Sequence, residues 1–213
     1  MKPLFIAIEG LDGSGGTTQS RLLTRWLEEN GHEVLLTKEP TDGPVGAFIC
    51  DILSDPQSPV QDQVLPYLFV ADRKDHISRL VRPRLNAGSF VVTDRYYHSS
   101  LAYQATAIGL KEVAQLNAEF PQPHITFFLY LDPESSFERV QLRGLPVERF
   151  ETLDRLRSIA DAYQTALDYC VQERGENIIW IDATQSIEEI HEQIVEQVEL
   201  LLYGESIQSQ CFS

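Results

Sequence analysis

Ten residues near the N-terminus combine glycines, an aspartate and two threonines in an order that suits phosphate binding. The stretch from Glu9 to Thr18 reads Glu-Gly-Leu-Asp-Gly-Ser-Gly-Gly-Thr-Thr, between an apolar run and an amphipathic one. Glycines let the backbone turn tightly, so that successive N–H groups and the start of the next helix converge on one anion. A tight turn without a ligand is the alternative. The loop residues expected to surround the phosphates are Gly10, Gly13, Ser14, Gly15, Gly16, Thr17 and Thr18.

The loop departs from the usual phosphate-loop pattern at one position. Against Gly-x-x-x-x-Gly-Lys-Ser/Thr, Gly10 and Gly15 match, Gly16 stands where lysine is expected, and Thr17 follows. A threonine hydroxyl at that point can hold Mg²⁺. The pattern therefore predicts a phosphate site that lacks its usual cation.

A second polar group follows the apolar run Phe90–Thr93. Asp94 would present a carboxylate near the metal of the loop, and Arg95 a guanidinium able to grip phosphate with two hydrogen bonds. A surface salt bridge at a strand end is the alternative. The next stretch carries hydroxyl, phenol and amide groups, which suit a polar ligand better than a core: Ser99, Ser100, Tyr103 and Gln104.

Phe69 and Arg73 lie four residues apart in a predicted helix. Residues at this spacing share one helix face, so an aromatic ring and a guanidinium can approach one flat ligand together. The alternative places Phe69 in the core and Arg73 in an ion pair with Asp72 or Asp75.

Three arginines flank a Gly-Pro segment in the second half of the chain: Arg139, Arg143 and Arg149. In a protein so short of positive charge, this grouping suggests a lid that closes over phosphates and excludes water. A solvated basic patch is the alternative.

Short apolar runs alternate with longer helical patterns along the chain. The predicted strands are Leu4–Ile8, Glu33–Thr37, Phe90–Thr93, Ile125–Leu131 and Ile178–Ile181. The predicted helices are Thr17–Asn30, Val45–Leu53, Val60–Asn86, Ser99–Gln104, Lys111–Glu119, Glu134–Leu142, Thr152–Glu173 and Ile187–Tyr203. This alternation indicates an α/β protein with a parallel sheet covered on both faces, and ligands at the carboxyl ends of the strands.

Composition limits the classes of function. The 213 residues carry a formal net charge of −15, and 43% of them are apolar. Binding to polyanions depends on Lys and Arg, so we expect no nucleic-acid or membrane partner. Three widely spaced cysteines, no signal-peptide pattern and no long apolar run predict a protein of the cytoplasm without a disulfide framework.

Taken together, these motifs resemble the thymidylate kinase family of P-loop nucleoside-monophosphate kinases. The resemblance runs from Phe5 to about Leu202, in the family's order. Its blocks are the loop, Glu39-Pro40, Leu68 to Arg73, Asp94-Arg95-Tyr96 with Ser99 to Gln104, and Arg149-Phe150-Glu151. The Asp-Arg-Tyr block is the most specific of these, because deoxynucleoside kinases carry Glu-Arg-Ser there.

The resemblance implies a three-layer P-loop NTPase fold, with one domain over residues 1–203. The grouped arginines predict a lid near residues 139–151, and the loss of apolar periodicity after Tyr203 predicts a flexible tail at 204–213. The resemblance also implies transfer of the ATP γ-phosphoryl group to dTMP with Mg²⁺, in a homodimer. The implied catalytic residues are Asp12, Arg95, Arg143 and Arg149, and the implied metal ligands are Thr17 and Asp94. The implied dTMP-binding residues are Glu39, Phe69, Arg73, Arg95, Ser99, Ser100, Tyr103 and Gln104, and the loop residues above would bind ATP.

Two departures from the family remove positive charge from the line of transfer. Gly16 replaces the loop lysine, and Cys50 stands where many bacterial relatives place an arginine that touches the acceptor phosphate. We expect the lid arginines, Arg143 and Arg149, to supply the missing charge. Two other functions stay open: a nucleotide-binding homologue with impaired catalysis, and a kinase for another pyrimidine monophosphate.

Overall fold

A five-stranded parallel sheet forms the centre of the computed structural model, which describes residues 2–55, 57–144 and 148–210. The strand order is β2-β3-β1-β4-β5, and every neighbouring pair is parallel. The strands are β1 (Phe5–Gly10), β2 (Val34–Lys38), β3 (Phe90–Asp94), β4 (Ile125–Tyr130) and β5 (Ile178–Asp182). All five predicted strands are thereby confirmed, with ends that shift by one or two residues.

Ten α-helices connect and cover these strands within the described residues. They are α1 (Gly16–Glu29), α2 (Pro44–Ser54), α3 (Leu65–His76), α4 (Arg82–Asn86), α5 (Tyr97–Tyr103), α6 (Ala105–Ile108), α7 (Leu110–Leu116), α8 (Pro133–Leu142), α9 (Leu153–Arg174) and α10 (Ile187–Gln210). None of the described helices combines the length and the apolar character needed to cross a bilayer.

The core lies on both faces of the sheet, and β1 shows why its sequence is continuously apolar. Ile6 and Ile8 pack with apolar residues of α1 and α10 on one face. Phe5 and Ala7 point to the other face, where they pack with residues of α5 and α9. Alternate residues of a strand face opposite sides, so a central strand covered twice needs apolar residues throughout. The predicted three-layer α/β fold is confirmed.

The long predicted helix at Val60–Asn86 is divided into four segments. A 3₁₀ turn at Asp62–Val64 precedes α3, and a π-helical turn at Ile77–Val81 joins α3 to α4. The helix therefore begins five residues later than predicted, with Pro66 in its first turn, where proline's missing N–H costs no hydrogen bond.

Other helix ends also differ from the prediction. The short helix α6 was not predicted, α5 begins two residues early, and α7 ends at Leu116. Helix α10 continues to Gln210, beyond the predicted end at Tyr203, while residues 211–213, including the third cysteine, lie outside the described residues.

The carboxyl ends of β1, β2 and β3 meet at one edge of the sheet. Asp94 on β3 is in register with Ile8 on β1 and with Lys38 on β2. The phosphate-type loop after β1 and the polar stretch after β3 therefore start side by side. This edge holds the candidate site, as expected for a parallel sheet.

Candidate active site

The loop after β1 requires glycine because its backbone enters the left-handed region at Gly10, Gly13 and Gly15. Gly10 is also closely packed. A Cβ there would lie 2.5 Å from Ser14 Oγ and 2.7 Å from the Leu129 carbonyl oxygen. Only glycine satisfies both the backbone conformation and the packing at this position.

The loop leads directly into α1, whose N-terminus faces a cavity of about 500 Å³. No side chain of the described residues caps this helix, and its first turn holds no acidic residue. Its first N–H groups and the helix dipole are therefore available to an anion. This loop cavity is lined by all the predicted loop residues: Gly10, Gly13, Ser14, Gly15, Gly16, Thr17 and Thr18.

Thr17 and Asp94 lie together on the wall of the loop cavity. The Thr17 hydroxyl donates to Asp94 Oδ2 at 2.5 Å. A Cβ on Gly16 would lie 3.0 Å from the other carboxylate oxygen, Oδ1. The missing side chain at Gly16 therefore lets the Asp94 carboxylate approach the start of α1. A hydroxyl beside a carboxylate is the kind of oxygen donor set that Mg²⁺ prefers, so the residues present fit this ion.

Arg95 joins the loop to the polar stretch after β3. Its Nη2 donates to Asp12 Oδ1 at 2.7 Å, and its Nη1 donates to Ser99 Oγ at 3.0 Å. Its guanidinium also lies over the Tyr103 ring, 5.2 Å from the centroid. The backbone of Arg95 has φ +69°, which is uncommon for a residue with a side chain. Such a conformation at a strand end is typical of functional sites.

Glu9, the penultimate residue of β1, binds the segment that follows β3. Its carboxylate accepts from the Tyr96 N–H at 2.7 Å, from Ser99 Oγ at 2.6 Å and from the Tyr163 hydroxyl at 3.0 Å. Burial by itself would raise the pKa of Glu9, but the hydrogen bond and charge of His98 and the charge of Arg95 lower it. Glu9 is thus a buried carboxylate that fixes the backbone beside Arg95.

A second, inner cavity adjoins the loop cavity and has Arg73 in its wall. Arg73 is 1% exposed and is held by Glu39 through Nε at 2.7 Å and Nη2 at 2.6 Å. It also donates from Nη1 to Asn117 Oδ1 at 2.5 Å and from Nη2 to Ser100 Oγ at 3.0 Å. The alternative ion pair with Asp72 does not form, since Asp72 binds Thr41 instead. These bonds leave one of the five guanidinium hydrogens for a ligand.

The inner cavity brings together the side chains that the family resemblance implies are substrate-binding. Gln104 is 3% exposed, and its Oε1 has no hydrogen-bond partner among the described residues. The inner-cavity residues that were predicted as substrate-binding are Glu39, Phe69, Arg73, Arg95, Ser99, Ser100, Tyr103 and Gln104. Phe69 also packs against the apolar core beside this cavity.

The three arginines of the expected lid have separate partners. Arg139 donates to the backbone carbonyl groups of Gly13 and Ala183, at 3.3 and 2.9 Å. Arg143 lines the loop cavity and lies 3.4 Å from Glu151.

Arg149 contacts Asp62 at 2.9 Å and lines neither the loop cavity nor the inner cavity. The tip of the expected lid, residues 145–147, lies outside the described residues.

Sequence reasoning missed four residues that the fold brings to this site. Glu9, Asn117 and Tyr163 bind the predicted residues from neighbouring elements, and Lys38 lines the loop cavity from the end of β2. Two signals could have revealed Lys38: the strand order, which places β2 beside β3, and its position directly before Glu39. Glu9 carried a local signal, since it is an acidic residue inside an apolar strand.

Comparisons with known proteins agree with this geometry. The family model described as Thymidylate kinase matches residues 8–194 of the chain. A probable thymidylate kinase of Pyrococcus horikoshii is 38% identical over 210 residues, covering 96% of this chain and 100% of the relative. One of Thermococcus kodakarensis is 36% identical over 207 residues, covering 93% and 98%. A thymidylate kinase of Xanthomonas oryzae is 40% identical over 159 residues, covering 73% and 69%. The chain belongs to the thymidylate kinase family.

Proposed function

We propose that the protein transfers the γ-phosphoryl group of ATP to the phosphate of dTMP, giving dTDP and ADP. The bond between the γ-phosphorus and the β,γ-bridging oxygen breaks, and a bond from a dTMP phosphate oxygen to that phosphorus forms. Such a transfer needs positioning and charge neutralisation more than a protein nucleophile.

The observation that carries this proposal is that the two cavities meet at Asp12 and Arg95. Both side chains line the loop cavity and the inner cavity alike. A donor whose phosphates occupy the loop and an acceptor in the inner cavity would bring their phosphates together at this pair. In our proposal Arg95 holds the acceptor phosphate and Asp12 orients it.

The loop cavity is the proposed ATP phosphate site. The backbone N–H groups of the loop and of the start of α1 would bind the phosphate oxygens. Thr17 and Asp94 would hold Mg²⁺, which would neutralise charge on the phosphates when bound. Arg143 and Arg149 are the proposed lid cations, and both would have to leave their present carboxylate partners.

The inner cavity favours thymine or uracil over cytosine as the acceptor base. The remaining guanidinium hydrogen of Arg73 suits the O4 acceptor of thymine, whereas cytosine presents an N4 donor at that place. The free Oε1 of Gln104 can accept from the N3–H group that thymine has and cytosine lacks. Phe69 would stack on the base, and Ser99, Ser100 and Tyr103 would line the rest.

The proposal is tested by steady-state turnover with Mg·ATP and a series of acceptors: dTMP, dUMP, dCMP and AMP. We expect the highest kcat/KM for dTMP and little turnover of dCMP. Preference for dUMP would make this a kinase for another pyrimidine monophosphate. Tight dTMP binding without turnover would support the impaired homologue instead.

We also propose a homodimer in the cytoplasm. Three large apolar side chains on and near α2 and α3 are about half exposed: Phe48, Val64 and Tyr67. Exposed apolar side chains on two helices that pack together are often part of an interface. Light scattering of the purified protein should give twice the chain mass of 24.2 kDa.

A further inference from the structure

We propose that Lys38 supplies the positive charge that the loop lacks at Gly16, by contacting the phosphoryl group that is transferred. The inference rests on the proposed function, and it assigns a catalytic role to a residue outside the loop and outside the lid. Its support comes from strand register, the space at Gly16 and the weak attachment of the Lys38 side chain.

Strand register places Lys38 beside the loop. Lys38 is the last residue of β2 and is paired with Asp94, the last residue of β3. Paired residues on neighbouring strands point to the same face of the sheet. Asp94 reaches Thr17 and the space beside Gly16 on that face. The side chain of Lys38 therefore leaves the sheet on the face that carries the start of α1.

The loop cavity joins these groups. It is lined by Gly16, Thr17, Lys38 and Asp94 together with the glycines of the loop. A lysine at position 16 would begin 3.0 Å from Asp94 Oδ1, and Lys38 is the residue paired with Asp94 on the neighbouring strand. The four-carbon stem of lysine carries a compact charge to a phosphate oxygen without a fixed planar geometry.

Lys38 is also close to Cys50, the other neutral position on the line of transfer. Both residues line the loop cavity. Burial raises the pKa of the Cys50 thiol, and the nearby Lys38 ammonium partly offsets that rise. One ammonium therefore lines the same cavity as Gly16 and Cys50, the two positions that lack the family's positive charge.

Within the described residues, the Lys38 ammonium is held by an exposed ion pair alone. It is paired with Asp42 at 2.9 Å, and the two side chains are 53% and 88% exposed. An exposed pair four residues apart contributes little stability, so phosphate can replace Asp42 at small cost.

Two arginines of the same cavity wall lack this freedom. Arg95 is held by Asp12, and Arg139 is bound to two backbone carbonyl groups. Among the described residues of this wall, Lys38 and Arg143 are thus the cations that are free to move to a ligand. Of these two, Lys38 is the one paired in register with Asp94, beside Gly16. The Asp42 hydrogen bond raises the pKa of Lys38, so the side chain carries its proton at neutral pH.

The experiment measures dTMP phosphorylation by Lys38→Met, Lys38→Arg and Lys111→Met. Loss of one charged contact to a transferring phosphoryl group lowers kcat by roughly 10²–10³-fold, and we expect this for Lys38→Met. Lys38→Arg keeps the charge and should recover most of the rate. Lys111, an exposed lysine on α7, is the matched control and should leave kcat unchanged. Wild-type kcat in Lys38→Met would overturn the inference.

A second variant tests whether Lys38 and position 16 serve the same phosphoryl group. Gly16→Lys restores the usual loop lysine and should rescue the Lys38→Met protein, with a small shift of Asp94. A double variant as slow as Lys38→Met alone would contradict the inference. Asp42→Asn, which removes the present partner of Lys38, should leave kcat at or above the wild-type value.

Binding separates this inference from the proposed function. Lys38→Met should weaken the binding of Mg·AMP-PNP roughly tenfold, the effect of one charge-assisted hydrogen bond, and change ADP binding less. If the wild-type protein does not phosphorylate dTMP, the proposed function fails. The difference in AMP-PNP affinity between the wild-type and Lys38→Met proteins still tests whether Lys38 contacts the γ-phosphate. Equal affinities of the wild-type and Lys38→Met proteins for AMP-PNP would overturn the inference.

Discussion

Nη2 of Arg95 lies 2.7 Å from Oδ1 of Asp12, and this ion pair stands where the loop cavity meets the inner cavity. Each of the two side chains is about one quarter exposed, so a ligand in either cavity can reach them. A phosphate in the inner cavity would compete with Asp12 for the guanidinium. The pair thus holds Arg95 in position until an acceptor phosphate arrives.

Arg95→Met removes the proposed acceptor-phosphate contact. We expect kcat/KM for dTMP to fall roughly 10²–10³-fold, because a charged contact at the line of transfer is lost. Arg25→Met, on the exposed face of α1, is the control and should behave as the wild-type protein. A wild-type kcat/KM in Arg95→Met would remove this residue from the proposed mechanism.

Arg73→Met breaks a buried ion pair with Glu39, whose side chain is 2% exposed. We expect the free energy of unfolding to fall by about 3–5 kcal/mol, since a buried carboxylate loses its guanidinium partner and keeps only His76 among the described residues. Urea unfolding measures this change.

The neighbouring residue provides the matched control. Lys74 forms an exposed pair with Glu119, and Lys74→Met should cost about 0–1 kcal/mol. Similar losses in both variants would show that the Arg73–Glu39 pair contributes no more than a surface pair.

His98 makes stability depend on pH. Its imidazole is buried, with Nε2 2.7 Å from Glu176 and Nδ1 3.6 Å from Glu9. Cys170 lies beside it, and Arg174 forms an ion pair with the other oxygen of Glu176. Burial by itself lowers the pKa of His98, but the two carboxylates outweigh burial and raise it above the ordinary 6.5. Because the folded pKa is raised, this stabilisation is complete below 6.5 and is lost as pH rises through the folded value.

The His98→Gln protein tests this dependence. Its free energy of unfolding should differ from that of the wild-type protein most at about pH 6, and the difference should shrink towards about pH 9. Urea unfolding across this range measures it. A difference that stays constant with pH would mean that His98 is not protonated in the folded protein.

The lid arginines give a fourth prediction. Arg143→Ala and Arg149→Ala should each lower kcat for dTMP, because each removes a cation that the lid would bring to the phosphates. Arg155→Ala, which removes another partner of Asp62, is the control for Arg149. Full kcat in both lid variants would exclude the lid arginines from the charge that acts on the phosphates.

The sequence predicted the fold and much of the site because both rest on local patterns. Continuous apolar runs identified all five strands. The glycines of the loop predicted a backbone with positive φ, which glycine adopts more easily than other residues. Arg95 was predicted as a phosphate-binding residue because it directly follows the end of a predicted strand, where ligands of parallel sheets bind.

The remaining site residues depend on contacts between distant parts of the chain. Asn117 reaches Arg73 across 44 residues, and Tyr163 reaches Glu9 across 154. Lys38 joins the site because β2 pairs with β3, a neighbour relation that periodicity alone does not give.

Direct analysis of the products tests the central claim, that this chain phosphorylates dTMP although Gly16 replaces the loop lysine. The wild-type protein, Mg·ATP and dTMP are incubated, and the nucleotides are separated and quantified. We predict that dTDP and ADP form in equal amounts over many turnovers. ADP without dTDP, or neither product while dTMP binds, would contradict the account.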